Sequence, residues 1–212
     1  MKKITRLAAM FMLASSVGFA QNTLTITTRI ADMLAQLPAE DGKEYSQNAQ
    51  EMISCGKAGI VEMATMLTPA GSSDNSKIEF AIGGLTYFVN QPGQEAARKL
   101  VAEAYAEALT KTKDKDNQAF LLFQLQQIAG NEAVPTIGSY LSNEYLSGRA
   151  SRALASVRTD KASEALLTSL ASATGDARIN IVHALGDAKY APAAAAIEKL
   201  AGSPDIRLQK SV

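Results

Sequence analysis

The sequence predicts an all-α protein, and three observations lead to this expectation. Alanine, the strongest helix former, is very frequent among the 212 residues, and tryptophan is absent. Apolar residues recur at the spacing of helix faces along most of the chain, whereas few segments show the β-branched alternation of strands. The C-terminal part repeats with a period near thirty residues. With 47% hydrophobic and 20% charged residues, the composition is that of a folded chain.

Residues 1–20 have the pattern of a secretory signal peptide. Three basic residues, Lys2, Lys3 and Arg6, precede a short apolar run, and small residues lead up to Ala20. The alternative, a transmembrane helix, needs about 18 continuous apolar residues, and this run is shorter. We therefore expect cleavage after Ala20, export to the periplasm or the medium, and no membrane span in the mature chain.

The charge of the mature chain argues against nucleic acid as a partner. Removal of the three basic residues in the signal leaves 18 Lys and Arg against 21 Asp and Glu, a formal net charge of −3. Binding to a phosphate backbone depends on clustered Lys and Arg. The sequence therefore predicts no nucleic-acid partner.

Residues 21–117 are predicted to form a helical but irregular N-terminal part. Two of its helices have apolar faces made by Ile30, Met33, Leu34 and Leu37, and by Ile60, Val61, Ala64 and Leu67. A third is capped by Asp74 or Ser76, and it contains Gly83 and Gly84, where a neighbour can approach closely or the helix can kink. A fourth has Pro92 near its first turn.

Residues 118–212 are predicted to be a set of repeats, each containing two short helices. Arg149, Arg178 and Arg207 are spaced 29 residues apart, and Leu170 and Leu200 are 30 apart. Two short amphipathic helices cannot bury their apolar faces alone, so such units stack side by side into a continuous core. This spacing predicts an α-solenoid.

The repeats resemble HEAT and HEAT-like repeats. The family pattern has a proline in the first helix of a unit and an Asp and an Arg at the start of the second. Pro135 and Pro192 match the first feature, while Ser163 replaces proline in the middle unit. The second feature is matched by Asp176 with Arg178 and by Asp205 with Arg207, and Arg149 stands without the acid. The resemblance implies a right-handed α-solenoid of stacked antiparallel helix pairs.

The segment from Val89 to Glu144 is similar to HEAT-type arrays in exported proteins of Bacteroidetes and Planctomycetes. Many of these arrays are fused to a C-terminal β-rich domain of the 3-keto-disaccharide hydrolase family. The resemblance implies a glycan-active domain after residue 212. No catalytic residue of that family has a counterpart in this chain.

The chain is expected to be cut within its last repeat. Ser203, Pro204 and Asp205 look like a helix start, with Ser203 as the cap, and the chain ends at Val212. The equivalent helix of the preceding repeat continues for several residues past the position matching Val212. This comparison predicts that the last repeat is incomplete.

No combination of residues predicts catalysis, a cofactor or a metal. His183 is the lone histidine and lies among apolar helix residues, whereas catalytic and zinc-bound histidines come with polar partners. Cys55 is the lone cysteine, so it forms no internal disulfide, and we interpret it as a small apolar residue at a helix contact. The four methionines of the mature chain are interpreted as core residues.

The three repeat arginines allow two interpretations. Arg149, Arg178 and Arg207 could form a basic ladder for an anionic partner, or each could pair with an acid or carbonyl in a nearby turn. Asp176 and Asp205, two residues before an arginine, favour the pairing.

We therefore expect a non-catalytic scaffold or interaction module, whose partner is another protein or its own missing C-terminal domain. One alternative is a stand-alone exported protein-binding solenoid. The other, less favoured, is a HEAT-like enzyme in its own right, which would need a basic groove with aromatic residues or a cofactor-binding cluster.

Overall fold

A computed structural model describes residues 26–39 and 41–211, and the described residues form helices and connecting turns without any strand. The all-α prediction is thus confirmed. The predicted signal peptide, residues 1–20, lies outside the described residues.

Six helices lie within residues 26–128 of the described chain. The first, α1, is helical over residues 26–35. It is followed by α2 (Gly42–Ser54), α3 (Gly56–Thr65), α4 (Ser76–Val89), α5 (Glu95–Lys111) and α6 (Lys115–Ile128). Asp41 and Asp114 cap α2 and α6, each accepting two backbone N–H bonds with its carboxylate. The two apolar faces predicted in this part are buried.

The C-terminal part contains shorter helices. They are α7 (Val134–Gly138), α8 (Ser147–Val157), α9 (Asp160–Leu170), α10 (Gly175–Asp187), α11 (Ala194–Glu198) and α12 (Ile206–Gln209). Two 3₁₀ segments, Ala191–Ala193 and Lys199–Gly202, flank α11. Pro135 lies in the first turn of α7, and Pro192 lies in the 3₁₀ segment that leads into α11.

Some predicted helix starts differ from the observed ones. Asp205 rather than Ser203 caps α12, because its Oδ1 accepts the Arg207 N–H at 2.9 Å. Ser203 instead accepts the N–H of Asp205 at 3.2 Å. Pro92 lies in the turn before α5, whose first residue is Glu95. The two apolar residues of α12 differ in burial, since Leu208 is buried and Ile206 is exposed.

The start of α4 is fixed by a polar contact with the loop before it. Asn75 occupies the cap position but uses its side chain on Thr68, accepting the Thr68 N–H at 3.0 Å and donating to the Thr68 carbonyl at 2.7 Å. Asn117 of α6 donates to the same carbonyl at 3.0 Å. Asp74 accepts the N–H of Ser76. These bonds tie α4 to the beginning of α6.

The helices pack both against their neighbours in sequence and against the next helix but one. Among the even-numbered helices, α2 packs on α4, α4 on α6, α6 on α8 and α8 on α10. Among the odd-numbered helices, α3 packs on α5, α5 on α7 and α7 on α9. One cluster of buried apolar side chains extends from Ile30 in α1 to Leu208 in α12. The even-numbered helices therefore form a continuous series that can carry a surface site.

Candidate interaction surface

The exposed aromatic side chains of the described residues occur at the even-numbered helices. Phe80 and Tyr87 of α4 are 41% and 67% exposed, and Phe123 of α6 is 43% exposed. Tyr145, which comes two residues before α8, is 53% exposed. Single exposed apolar side chains are common on proteins, whereas contiguous apolar patches mark interaction sites, and Phe80 and Tyr87 border one groove. We call Phe80, Tyr87, Phe123 and Tyr145 the aromatic face.

Helix geometry explains why Phe80 and Tyr87 point to solvent. Residues three, four and seven apart lie on one side of a helix. Phe80, Gly83, Gly84 and Tyr87 follow this spacing, and the core side of α4 is made by Ala81, Ile82, Leu85, Phe88 and Val89. The helix is thus apolar on both sides, and the side with Phe80 and Tyr87 is only partly covered.

The aromatic residues of α4 border a shallow apolar groove between α2 and α4. Tyr45 of α2 lies against Gly84, and its hydroxyl donates to the carbonyl of Gly84. The rings of Tyr45 and Tyr87 meet edge to face, with centroids 6.0 Å apart. A Cβ on Gly84 would lie 3.1 Å from Cε2 of Tyr45, so the predicted close approach is confirmed at Gly84. Gly83 has nothing within 4 Å of its Cβ position.

On α6 and α8 the exposed rings are paired with cations. The Arg149 guanidinium carbon lies 6.0 Å from the centroid of the Phe123 ring, and the Lys115 ammonium lies 4.5 Å from that of Tyr145. The Tyr145 hydroxyl donates to Asp116 at 2.5 Å, and this bond raises the pKa of Tyr145. We call Lys115, Phe123, Tyr145 and Arg149 the cation–aromatic cluster.

The three repeat arginines do not form a uniform ladder. Arg207 pairs with Asp176 of α10 at 2.7 Å and lies 3.6 Å from Asp205. Arg178 donates from Nε to the carbonyl of Ala173 at 2.5 Å. These two have the acid and carbonyl partners that the pairing interpretation expects, whereas Arg149 contacts an aromatic ring. Of these three arginines, Arg149 alone has no acid or carbonyl partner in the part of the chain that the structure describes.

Neither Cys55 nor His183 belongs to a cluster with catalytic geometry. Cys55 is buried at the junction of α2 and α3, and burial raises the pKa of its thiol, which favours the unreactive form. His183 is exposed on α10 and borders a groove with Asp176 and Arg207. Within residues 26–39 and 41–211, no group of three or more His, Cys, Asp or Glu is placed to hold a metal ion.

The sequence interpretation missed the aromatic face. It assigned the four methionines of the mature chain to the core, although Met66 is exposed after α3. The signal was the spacing of Phe80, Gly84 and Tyr87, which lie off the stripe that carries the other apolar residues of α4.

The chain matches no protein-family model, no curated protein and no solved structure. Within the part of the chain that the structure describes, none of the helices has the length and apolarity needed to cross a membrane.

Proposed function

We propose that this chain is a non-catalytic HEAT-like scaffold that binds a protein partner through the aromatic face. The observation that carries the proposal is the concentration of exposed rings on the series of even-numbered helices. Aromatic residues and arginine are enriched at the centres of protein interfaces, because they bury a large area with few rotatable bonds.

The packing of the helices supports a solenoid as the architecture of this scaffold. In a stack of antiparallel pairs, each helix contacts its partner and the equivalent helix of the next unit. The contacts of α5 to α10 follow this rule, since α5 packs on α6 and α7, and α8 packs on α7, α9 and α10. The right-handed sense is taken from the resemblance to HEAT repeats.

The chemistry of the aromatic face favours a protein partner. The groove between α2 and α4 is lined by rings and glycines, which suit apolar side chains of a partner. Arg149 and Lys115 add charge beside the rings of Phe123 and Tyr145. Export, and a glycan-active hydrolase domain elsewhere in the full protein, remain predictions of the sequence.

Site-specific photo-cross-linking in the native host tests this proposal. Tyr87 and Phe123 are each replaced by p-benzoylphenylalanine, and the matched controls carry it at Lys99 of α5 and Lys161 of α9, which are exposed on odd-numbered helices. We expect light-dependent adducts with the same protein from the positions of Tyr87 and Phe123, and none from the controls.

Two results would contradict the proposal. One is equal cross-linking from the even-numbered and odd-numbered helices, or none from any position. The other is hydrolysis of a disaccharide derivative by the purified chain itself.

A further inference from the structure

We propose that the cation–aromatic cluster, together with Arg152, binds an extended acidic segment of the protein partner. This inference rests on the proposed function and specifies the chemistry of the partner at one part of the aromatic face.

The charge of α8 is the first observation. The helix contains Arg149 and Arg152 and no acidic residue, although acidic and basic residues are equal in number over the whole chain. The two arginines are three positions apart, so they lie on the same side of the helix, and both are exposed. This side of α8 meets the aromatic face at Phe123 of α6, whose ring lies beside Arg149.

The charge of these arginines is not neutralised by the protein. Among the described residues, the ion pairs involve Arg29, Lys57, Lys111 and Arg207, and neither Arg149 nor Arg152 takes part in one. Two acidic groups close to Tyr145 have other contacts, since Asp116 accepts the Tyr145 hydroxyl and Asp114 caps α6. Glu144 borders the adjoining groove, which is also lined by Arg207 and Lys210.

The aromatic rings make this cationic site more selective than two isolated arginines. The Phe123 ring lies beside the Arg149 guanidinium, so the ring restricts the guanidinium while leaving its N–H groups free for a carboxylate. A segment that satisfies the site therefore offers carboxylates to Arg149 and Arg152 and an apolar side chain to the exposed ring of Phe123. Acidic residues interspersed with leucine have this chemistry.

Fluorescence anisotropy of a labelled peptide tests the inference. The probe is a fluorescein-labelled glutamate peptide with central leucines, titrated with the full chain, and its counterpart has lysine in place of glutamate. The test variant is Arg149→Gln with Arg152→Gln. The matched control is Arg98→Gln with Lys99→Gln, which removes two exposed positive charges from α5.

We expect the α8 variant to bind the glutamate peptide about tenfold more weakly than the wild type, because two charged contacts are lost. The affinity of the α5 control for the glutamate peptide should stay within about twofold of that of the wild type. Binding should weaken as salt is added, since exposed charges are screened. Phe123→Leu removes the ring and keeps both arginines, and it should reduce the affinity for the glutamate peptide several-fold. This second variant tests the site even if the arginine variant does not fold.

Three results would overturn the inference: equal losses in the α8 and α5 variants, equal binding of the lysine peptide, or tighter binding to phosphatidylglycerol vesicles than to the glutamate peptide. If any of these appears while Tyr87 still cross-links to one protein, the proposed function stands and only the acidic chemistry of the partner is wrong.

Discussion

Tyr105 is a polar residue in the centre of the core, and it stabilises the contact between α4 and α5. Its side chain is fully buried, and its hydroxyl donates to the carbonyl of Ile82 at 2.9 Å. Burial raises the pKa of this hydroxyl above its ordinary value, because the phenolate would lose its hydration. The residue therefore links the stability of the fold to pH.

Replacement of Tyr105 tests this link. The pKa is higher in the folded chain than in the unfolded chain, so the contribution is complete below about pH 10 and is lost as the pH rises further. We expect Tyr105→Phe to cost about 1 kcal/mol near neutral pH, since one hydrogen bond is lost. We also expect its melting temperature to fall less steeply than that of the wild type between about pH 9 and pH 11.

Circular dichroism melts at several pH values measure both effects. Tyr87→Phe, at an exposed position, is the control, and its melting temperature near neutral pH should equal that of the wild type. If the melting temperatures of Tyr105→Phe and the wild type fell equally steeply between about pH 9 and pH 11, Tyr105 would not be the group that makes stability depend on pH.

The helices as elements were largely predictable, whereas their ends were not. The apolar faces of α1 and α3 follow from spacing alone, because burial requires apolar residues on one side of each helix. The start of α12 was predicted at Ser203, but Asp205 caps it, and the Asn75 side chain is used by Thr68 rather than by α4. Such choices depend on which neighbours reach the turn, and the local sequence does not specify them.

The two glycines of α4 provide a test of helix packing. Gly83→Ala should stabilise the chain by about 0.5–1 kcal/mol, because alanine favours the helix and its Cβ enters open space. Gly84→Ala places its Cβ against Tyr45, which must shift and weaken its bond to the Gly84 carbonyl. The Gly84 variant should therefore be less stable than the Gly83 variant by about 1 kcal/mol. Urea unfolding measures the difference, and equal stabilisation by both alanines would contradict the close packing.

On the scale of the whole molecule, the sequence predicted the core better than the surface. Buried positions follow from apolar periodicity, and one core connects α1 to α12. The aromatic face was not predicted, because α4 and α6 are apolar on more than one side, and the sequence does not show which side the neighbouring helices cover. The contact of Arg149 with Phe123 likewise joins two helices far apart in sequence. Contacts between helices that are distant in sequence determine which side chains form the surface site, and these contacts are seen only in the folded structure.

The central claim is that the even-numbered helices carry the binding surface, and hydrogen exchange measured by mass spectrometry tests it most directly. The chain is compared alone and with the protein captured by cross-linking at Tyr87 and Phe123. We expect slower amide exchange in α4, α6 and α8 on binding, and unchanged exchange in α5 and α9. Slower exchange confined to α5 and α9, or no change in any helix, would contradict it.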